Sequence, residues 1–122
     1  MSKILIVEDD EFIRMLAARA LQRGGTYDVE LAADGESGLA KIAAAGGAFD
    51  LVISDIRMPG MDGIAMAQAA ARSWPGIRIL FVTGYADQRE RTAELDGIVV
   101  GVLLKPFTLA EIRAKVETAL AV

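Results

Sequence analysis

Apolar positions along the chain fall into two alternating patterns. Lys3 to Val7 is a continuous, β-branched-rich run after a polar start, which predicts a strand buried on both faces. It ends on four consecutive acids, Glu8 to Glu11. From Glu11 to Arg23 the period becomes helical, with Ile13, Leu16, Ala17, Ala20 and Leu21 on one side, until Gly24-Gly25 stops it. Tyr27 to Ala32 alternates apolar and acidic residues, the pattern of a strand at or near a sheet edge. After an Asp34-Gly35 turn, Glu36 to Ala45 predicts an Ala-rich helix with Leu39 and Ile42 inward, ended by Gly46-Gly47.

The second half repeats the alternation. Asp50 to Ser54 is a strand that delivers Asp55 into a loop carrying two turn signals, Pro59-Gly60 and Asp62-Gly63. A helix over Gly63 to Ser73, with Ile64, Met66, Ala67 and Ala70 apolar, is broken by Trp74-Pro75-Gly76. Ile77 to Val82 is the fourth strand, ending at Thr83-Gly84; Asp87 to Leu95 is a short, highly charged helix. Ile98 to Leu104 is the last strand and leads into Lys105-Pro106-Phe107. Thr108, with Glu111 three residues on, has the pattern of a capping box, and Leu109, Ile112, Val116 and Leu120 form the stripe of the final helix. Five strands alternating with five helices imply one α/β domain over residues 1–122, a parallel sheet covered on both faces. No linker, repeat or low-complexity segment interrupts it.

Composition narrows the chemistry. The 122 residues contain no cysteine and no histidine. Thiolate chemistry, disulfides and Cys- or His-based metal sites are therefore excluded, and any bound metal must be held by oxygens, as Mg²⁺ is. The net charge of −4, without a Lys/Arg cluster, argues against direct nucleic-acid binding. No apolar run is long enough to span a membrane and the first residues read as a strand rather than a leader, so the expectation is a soluble cytoplasmic protein.

In an open parallel sheet, ligands bind outside the carboxyl ends of the strands. Those ends carry Glu8 and Asp9, then Asp55, Thr83 and Lys105. Each has an ordinary structural reading: acids favour a helix N-terminus, Thr83 suits a turn, and Asp62 is a turn or cap residue. Their coincidence at one sheet edge points instead to a site. Crowded carboxylates repel, and a Mg²⁺ ion (or Mn²⁺) relieves that cost. Asp9 and Asp55 are the expected direct ligands, with Glu8 direct or through water and the Arg57 backbone carbonyl as a further oxygen. Asp55 can then act as nucleophile toward a phosphoryl group, with Lys105 neutralising its oxygens and Thr83 donating to one.

The motifs ILIVEDDE, DLVISDIRMPGMDG, FVTGYAD and LLKPF, in this order and spacing, resemble a response-regulator receiver domain of bacterial two-component signalling, and the likeness covers the whole chain. The resemblance implies a flavodoxin-like sheet in order 2-1-3-4-5. It implies Asp55 as phosphoacceptor, Glu8 and Asp9 as the acidic pair, Thr83 as switch hydroxyl and Lys105 as the partner lysine. It also implies phosphoryl transfer from a phosphohistidine on a sensor kinase or phosphotransfer protein, followed by self-catalysed dephosphorylation.

One departure is Val102, where members of the family often carry an aromatic residue; Tyr85 is a candidate substitute, or a shield of the phosphoryl group alongside Arg57. Slow dephosphorylation is expected from those two side chains. A dehalogenase-type phosphatase would need an acid at position 57 and a cap domain, and a flavin carrier would meet four repelling acids. A phosphorylation-independent interaction module stays open because of Val102. No output domain is expected after Val122, so the signal is expected to leave through the fourth helix, fifth strand and fifth helix toward a downstream protein. A stand-alone regulator, a relay shuttle and a receiver from a larger protein all remain possible contexts.

Overall fold

The computed structural model describes residues 1–23, 25–84, 95 and 97–121. Five strands, β1 (Ser2–Val7), β2 (Tyr27–Ala32), β3 (Leu51–Asp55), β4 (Ile79–Thr83) and β5 (Val99–Leu104), form one sheet in the order β2-β1-β3-β4-β5. Every neighbouring pair is parallel. The described helices are α1 (Glu11–Gln22), α2 (Gly35–Ala44), α3 (Gly63–Ser73) and α4 (Leu109–Leu120). The expected helix over 87–95 lies outside the described residues, apart from a buried Leu95.

Successive strand residues point to opposite faces, so an apolar run such as Ile4-Leu5-Ile6-Val7 feeds two cores. Leu5, Val7, Val52, Ile79 and Phe81 pack with Ile42 of α2 and Met66, Ala67 and Ala70 of α3. Ile4, Ile6, Ile53, Leu80 and Val82 pack on the other face with Ala17 and Leu21 of α1 and Ile112 and Val116 of α4. Burial on both sides is what demands helices on both sides, and it explains the continuous rather than alternating apolar pattern in the central strands.

The helix ends follow the residues expected of caps. Asp10, Asp34, Asp62 and Thr108 accept a backbone N–H from the residue three places on, and Thr108 and Glu111 complete a reciprocal capping box. Asp62 is thus a cap residue. The C-terminal end of α1 is tied to α4 by Arg113, whose Nε donates to the Ala20 carbonyl at 3.2 Å.

Two boundaries differ from the sequence reading in a way that bears on chemistry. Asp55 is not delivered into a loop; it is the last residue of β3 and pairs with Val82. Thr83 is likewise the last residue of β4, opposite Leu104. Hydrogen bonding to the neighbouring strand carried the ladder one residue further than the apolar run, which holds both residues on the sheet. At its other end β4 starts at Ile79 because Ile77 still belongs to a turn, its N–H donating to the Trp74 carbonyl at 3.0 Å.

β5 carries an irregularity: Ile79 lies opposite Val99 but Leu80 opposite Gly101. The extra residue, Val100, reverses the parity of the rest of the strand. Val102 consequently packs with the Phe81 core on the α2–α3 face, and Leu103 with the α1–α4 face.

Candidate acidic phosphoryl site

The carboxyl ends of β1, β3, β4 and β5 lie side by side in the sheet, which brings Glu8, Asp55, Thr83 and Lys105 to one edge. Lys105 Nζ donates to Glu8 Oε1 at 2.6 Å and to Asp55 Oδ2 at 3.0 Å. Glu8 and Asp55 are buried, and so is Thr83; Asp9 is exposed beside them. An open cleft of about 440 Å³ lies over this edge, lined by Asp9, Asp10, Ile13, Asp55, Arg57, Gly84 and Lys105.

Local hydrogen bonds set each group. The second oxygen of Asp55, Oδ1, accepts the Ile56 N–H at 2.8 Å, and the Ser54 hydroxyl donates to the Asp55 carbonyl at 2.8 Å. Arg14, one turn into α1, donates from its guanidinium to the Glu8 carbonyl at 2.9 Å. The Lys105 N–H donates to the Thr83 carbonyl at 2.8 Å, tying the two strand ends that carry the hydroxyl and the ammonium. On the far side of the loop, Gly63 N–H donates to the Ile56 carbonyl at 2.8 Å and starts α3.

Burial dominates the electrostatics. It raises the Glu8 carboxyl from 4.5 to about 7; the Lys105 hydrogen bond opposes the rise and the nearby Asp55 charge adds to it. Burial works against the Lys105 charge as well, but its hydrogen bonds to Glu8 and Asp55 outweigh that and hold it above the usual lysine value. One ammonium therefore partners two carboxylates, leaving a surplus of negative charge.

A cation fits that surplus. Glu8, Asp9 and Asp55 can each present one carboxylate oxygen, and the three oxygens lie within 4.8 Å of one another. An all-oxygen donor set beside an open cleft suits a hard divalent ion that keeps some of its waters.

Residues 4–117 match the family model described as the response regulator receiver domain. The chain belongs to that family. The receiver is 39% identical over 118 residues to the sensor kinase CckA of Brucella abortus, an alignment covering 96% of this chain and 12% of the kinase. The solved structure of the Vibrio cholerae chemotaxis protein CheY4 superposes with a TM-score of 0.86 at 32% identity, over 98% of each chain. The Thermotoga maritima response regulator TrrA, solved in complex with Mg²⁺-BeF, gives 0.84 at 31% identity, over 98% of this chain and 99% of that one. The receiver spans 12% to 50% of the length of the first curated relatives it matches. It is thus a receiver of the two-component signalling type, with the 2-1-3-4-5 sheet that the motifs implied.

Glu8, Asp9, Asp55 and Lys105 come together, with Thr83 on the adjoining strand end. Arg57 is exposed at the cleft and Val102 sits one strand away, facing the Phe81 core. Tyr85 lies outside the described residues. Sequence reading missed Arg14 and Ser54, which hold the site's backbone; neither carries a pattern that reveals a partner chosen by loop geometry. Among the described residues no helix is long and apolar enough to cross a membrane.

Proposed function

We propose that this receiver is a phosphoryl-accepting switch in which Asp55 takes a phosphoryl group from a phosphohistidine on a sensor kinase or phosphotransfer protein. The observation that carries the reading is the Lys105 ammonium bridging Glu8 and Asp55 at the mouth of a cleft, with Asp9 within reach of the same cation. Glu8, Asp9 and Asp55, with the Arg57 carbonyl, would hold Mg²⁺. When bound, that ion neutralises carboxylate charge and polarises the phosphoryl oxygens.

The chain's own residues do the rest. An Asp55 carboxylate oxygen attacks phosphorus, the bond from phosphorus to the donor's imidazole nitrogen breaks, and the electron pair leaves with the imidazole. Asp55 is oriented for this because its two oxygens are held by the Ile56 N–H and Lys105. Lys105 shifts its charge toward the arriving phosphoryl oxygens, and the Thr83 hydroxyl supplies a hydrogen bond to one of them.

A phosphoryl group that draws Thr83 and Lys105 inward also pulls β5, since these residues end β4 and precede α4. The proposed output face is therefore the one that includes β5 and α4, where Leu104 is 47% exposed; the expected fourth helix, which would join it, lies outside the described residues. Its downstream partner would be a protein. Val102 offers no ring to swing, and a phosphorylation-independent interaction module is the second reading that this valine favours.

Beryllofluoride with Mg²⁺ separates the two. The expected result is Mg²⁺-dependent amide shifts at Asp55 and Thr83 that extend along β5. Trp74 is a poor reporter, because it ends α3 and packs on Gly47, at the opposite end of the sheet. Unmoved amide spectra at saturating beryllofluoride would leave only the interaction module. With the acyl phosphate formed from acetyl phosphate, Tyr85→Ala is expected to shorten the phosphoryl half-life severalfold; an unchanged half-life would remove Tyr85 as a shield.

A further inference from the structure

We propose that Glu36, in the first turn of α2, is a positioning residue that latches the loop following Asp55 and thereby holds the Arg57 carbonyl at the cation site. The inference rests on the phosphoacceptor reading for its consequence, but the latch itself is built from independent contacts. Glu36 Oε1 accepts the Met61 N–H at 2.8 Å, a bond between residues 25 apart in sequence. Two small residues let the segments meet. A Cβ at Gly35 would run into the Met61 carbonyl, and a Cβ at Gly60 would lie 2.7 Å from Glu36 Oε1. Gly60 also has a φ of +74°, the left-handed conformation that glycine adopts without steric cost. The backbone of 60–61 is thus turned against 35–36, and the carboxylate closes the contact.

Fixing this loop matters because it connects Asp55 to α3 and carries Arg57; Ile56 and Met58 bury their side chains in the core, and Met61 packs against it. Gly63 anchors its far end through the Ile56 carbonyl, and Asp62 is committed to capping α3 through the Ala65 N–H at 2.8 Å. Between Arg57 and Asp62, the Glu36–Met61 bond joins the loop to a different helix. A backbone carbonyl binds a cation more tightly when the segment presenting it does not have to be ordered on binding. Glu36 removes that ordering cost in advance. Its role needs an acceptor oxygen rather than a charge, which separates it from the three acids of the site.

The test compares the wild type with Glu36→Ala and Glu36→Gln. In the metal-free proteins, hydrogen exchange at the Met61 amide should speed up about tenfold in Glu36→Ala and stay near wild type in Glu36→Gln, which keeps an acceptor oxygen. Mg²⁺ affinity by calorimetry should fall about three- to tenfold in the alanine variant and recover in the glutamine variant. Because Glu36 is exposed, both variants should melt close to the wild type, so a loss of folding does not account for the change. Unchanged Met61 exchange in Glu36→Ala would overturn the latch. Equal loss in both variants would also overturn it, by assigning the effect to charge. If the wild type binds no Mg²⁺, the phosphoacceptor reading falls, and the Met61 exchange rates still decide whether the latch exists.

Discussion

Asp55→Asn should abolish Mg²⁺-dependent labelling by acetyl phosphate or a phosphohistidine donor, reducing it to background. The loss follows from nucleophilicity: a carboxamide oxygen does not form a stable phosphoryl derivative, and neither of the two neighbouring acids of the site is held as Asp55 is. Asp9 is exposed, and Glu8 sits under Lys105 at 2.6 Å. The same substitution makes a second measurable change. Both Asp55 oxygens accept from donors, Ile56 N–H and Lys105, whereas an asparagine offers one acceptor and one NH₂ group. One hydrogen bond must be given up. At the same time the Asp55 charge, which helps raise Glu8, disappears, so the Glu8 carboxyl should titrate below about 7. Side-chain carboxyl NMR titration of the variant reads this directly. Residual labelling of Asp55→Asn at wild-type stoichiometry would place the acceptor elsewhere.

Folding stability of the metal-free protein should fall as pH rises from about 4.5 to about 7. Burial raises the Glu8 carboxyl from 4.5 in the unfolded chain to about 7 in the folded one. The folded state therefore holds this proton more tightly. The stabilisation it supplies is complete below about pH 4.5 and is lost as pH passes through about 7. At about 1.4 kcal/mol per pH unit the interval corresponds to roughly 3 kcal/mol. Lys105 does not contribute in this window, because its raised value affects stability only at alkaline pH.

Asp34, which caps α2, has its carboxyl lowered by the Ser37 N–H, so its contribution is lost only in more acid solution, below its ordinary value of 3.8. Denaturant unfolding from pH 5 to 8 should thus show a monotonic decline. Glu8→Gln keeps an acceptor for Lys105 and should flatten the curve. Millimolar Mg²⁺ should also flatten it, since a cation supplies the charge that the proton otherwise provides. A metal-free profile that stays flat across this interval would mean that Glu8 titrates as an ordinary solvated carboxyl.

These expectations depend on different levels of the molecule. The apolar runs of β1, β3 and β4 and the helical period between them determine a two-sided parallel sheet, because each run can satisfy its burial only between two helical layers. Thr108 is legible as a cap and Asp62 as a turn or cap from the chain alone, since a cap bonds only three residues away; Asp10, within the acidic run, and Asp34, read as a turn, are shown to be caps by the structure. The motif residues Glu8, Asp9, Asp55, Thr83 and Lys105 are legible too: each follows an apolar run, and the rule that sites form at strand carboxyl ends places them on one edge.

What the chain alone does not contain is anything that depends on the separation between elements. That Asp55 and Thr83 are rungs of the ladder rather than loop residues was decided by pairing with Val82 and Leu104. The orientation of Val102 was decided by one extra residue in β5, which no apolar pattern registers. Arg14 reaching the Glu8 carbonyl and Glu36 reaching Met61 are side chains of ordinary helical positions, and only the folded geometry gives them partners. The burial that lifts Glu8, with the nearby Asp55 charge adding to it, likewise arises only when Glu8 and Asp55, 47 residues apart in the chain, are brought together beside Lys105. Sequence by itself determined which groups stand at the sheet edge. Tertiary structure decided their spacing, burial and support, because electrostatic and hydrogen-bond energies depend on distances that exist only after the strands have paired.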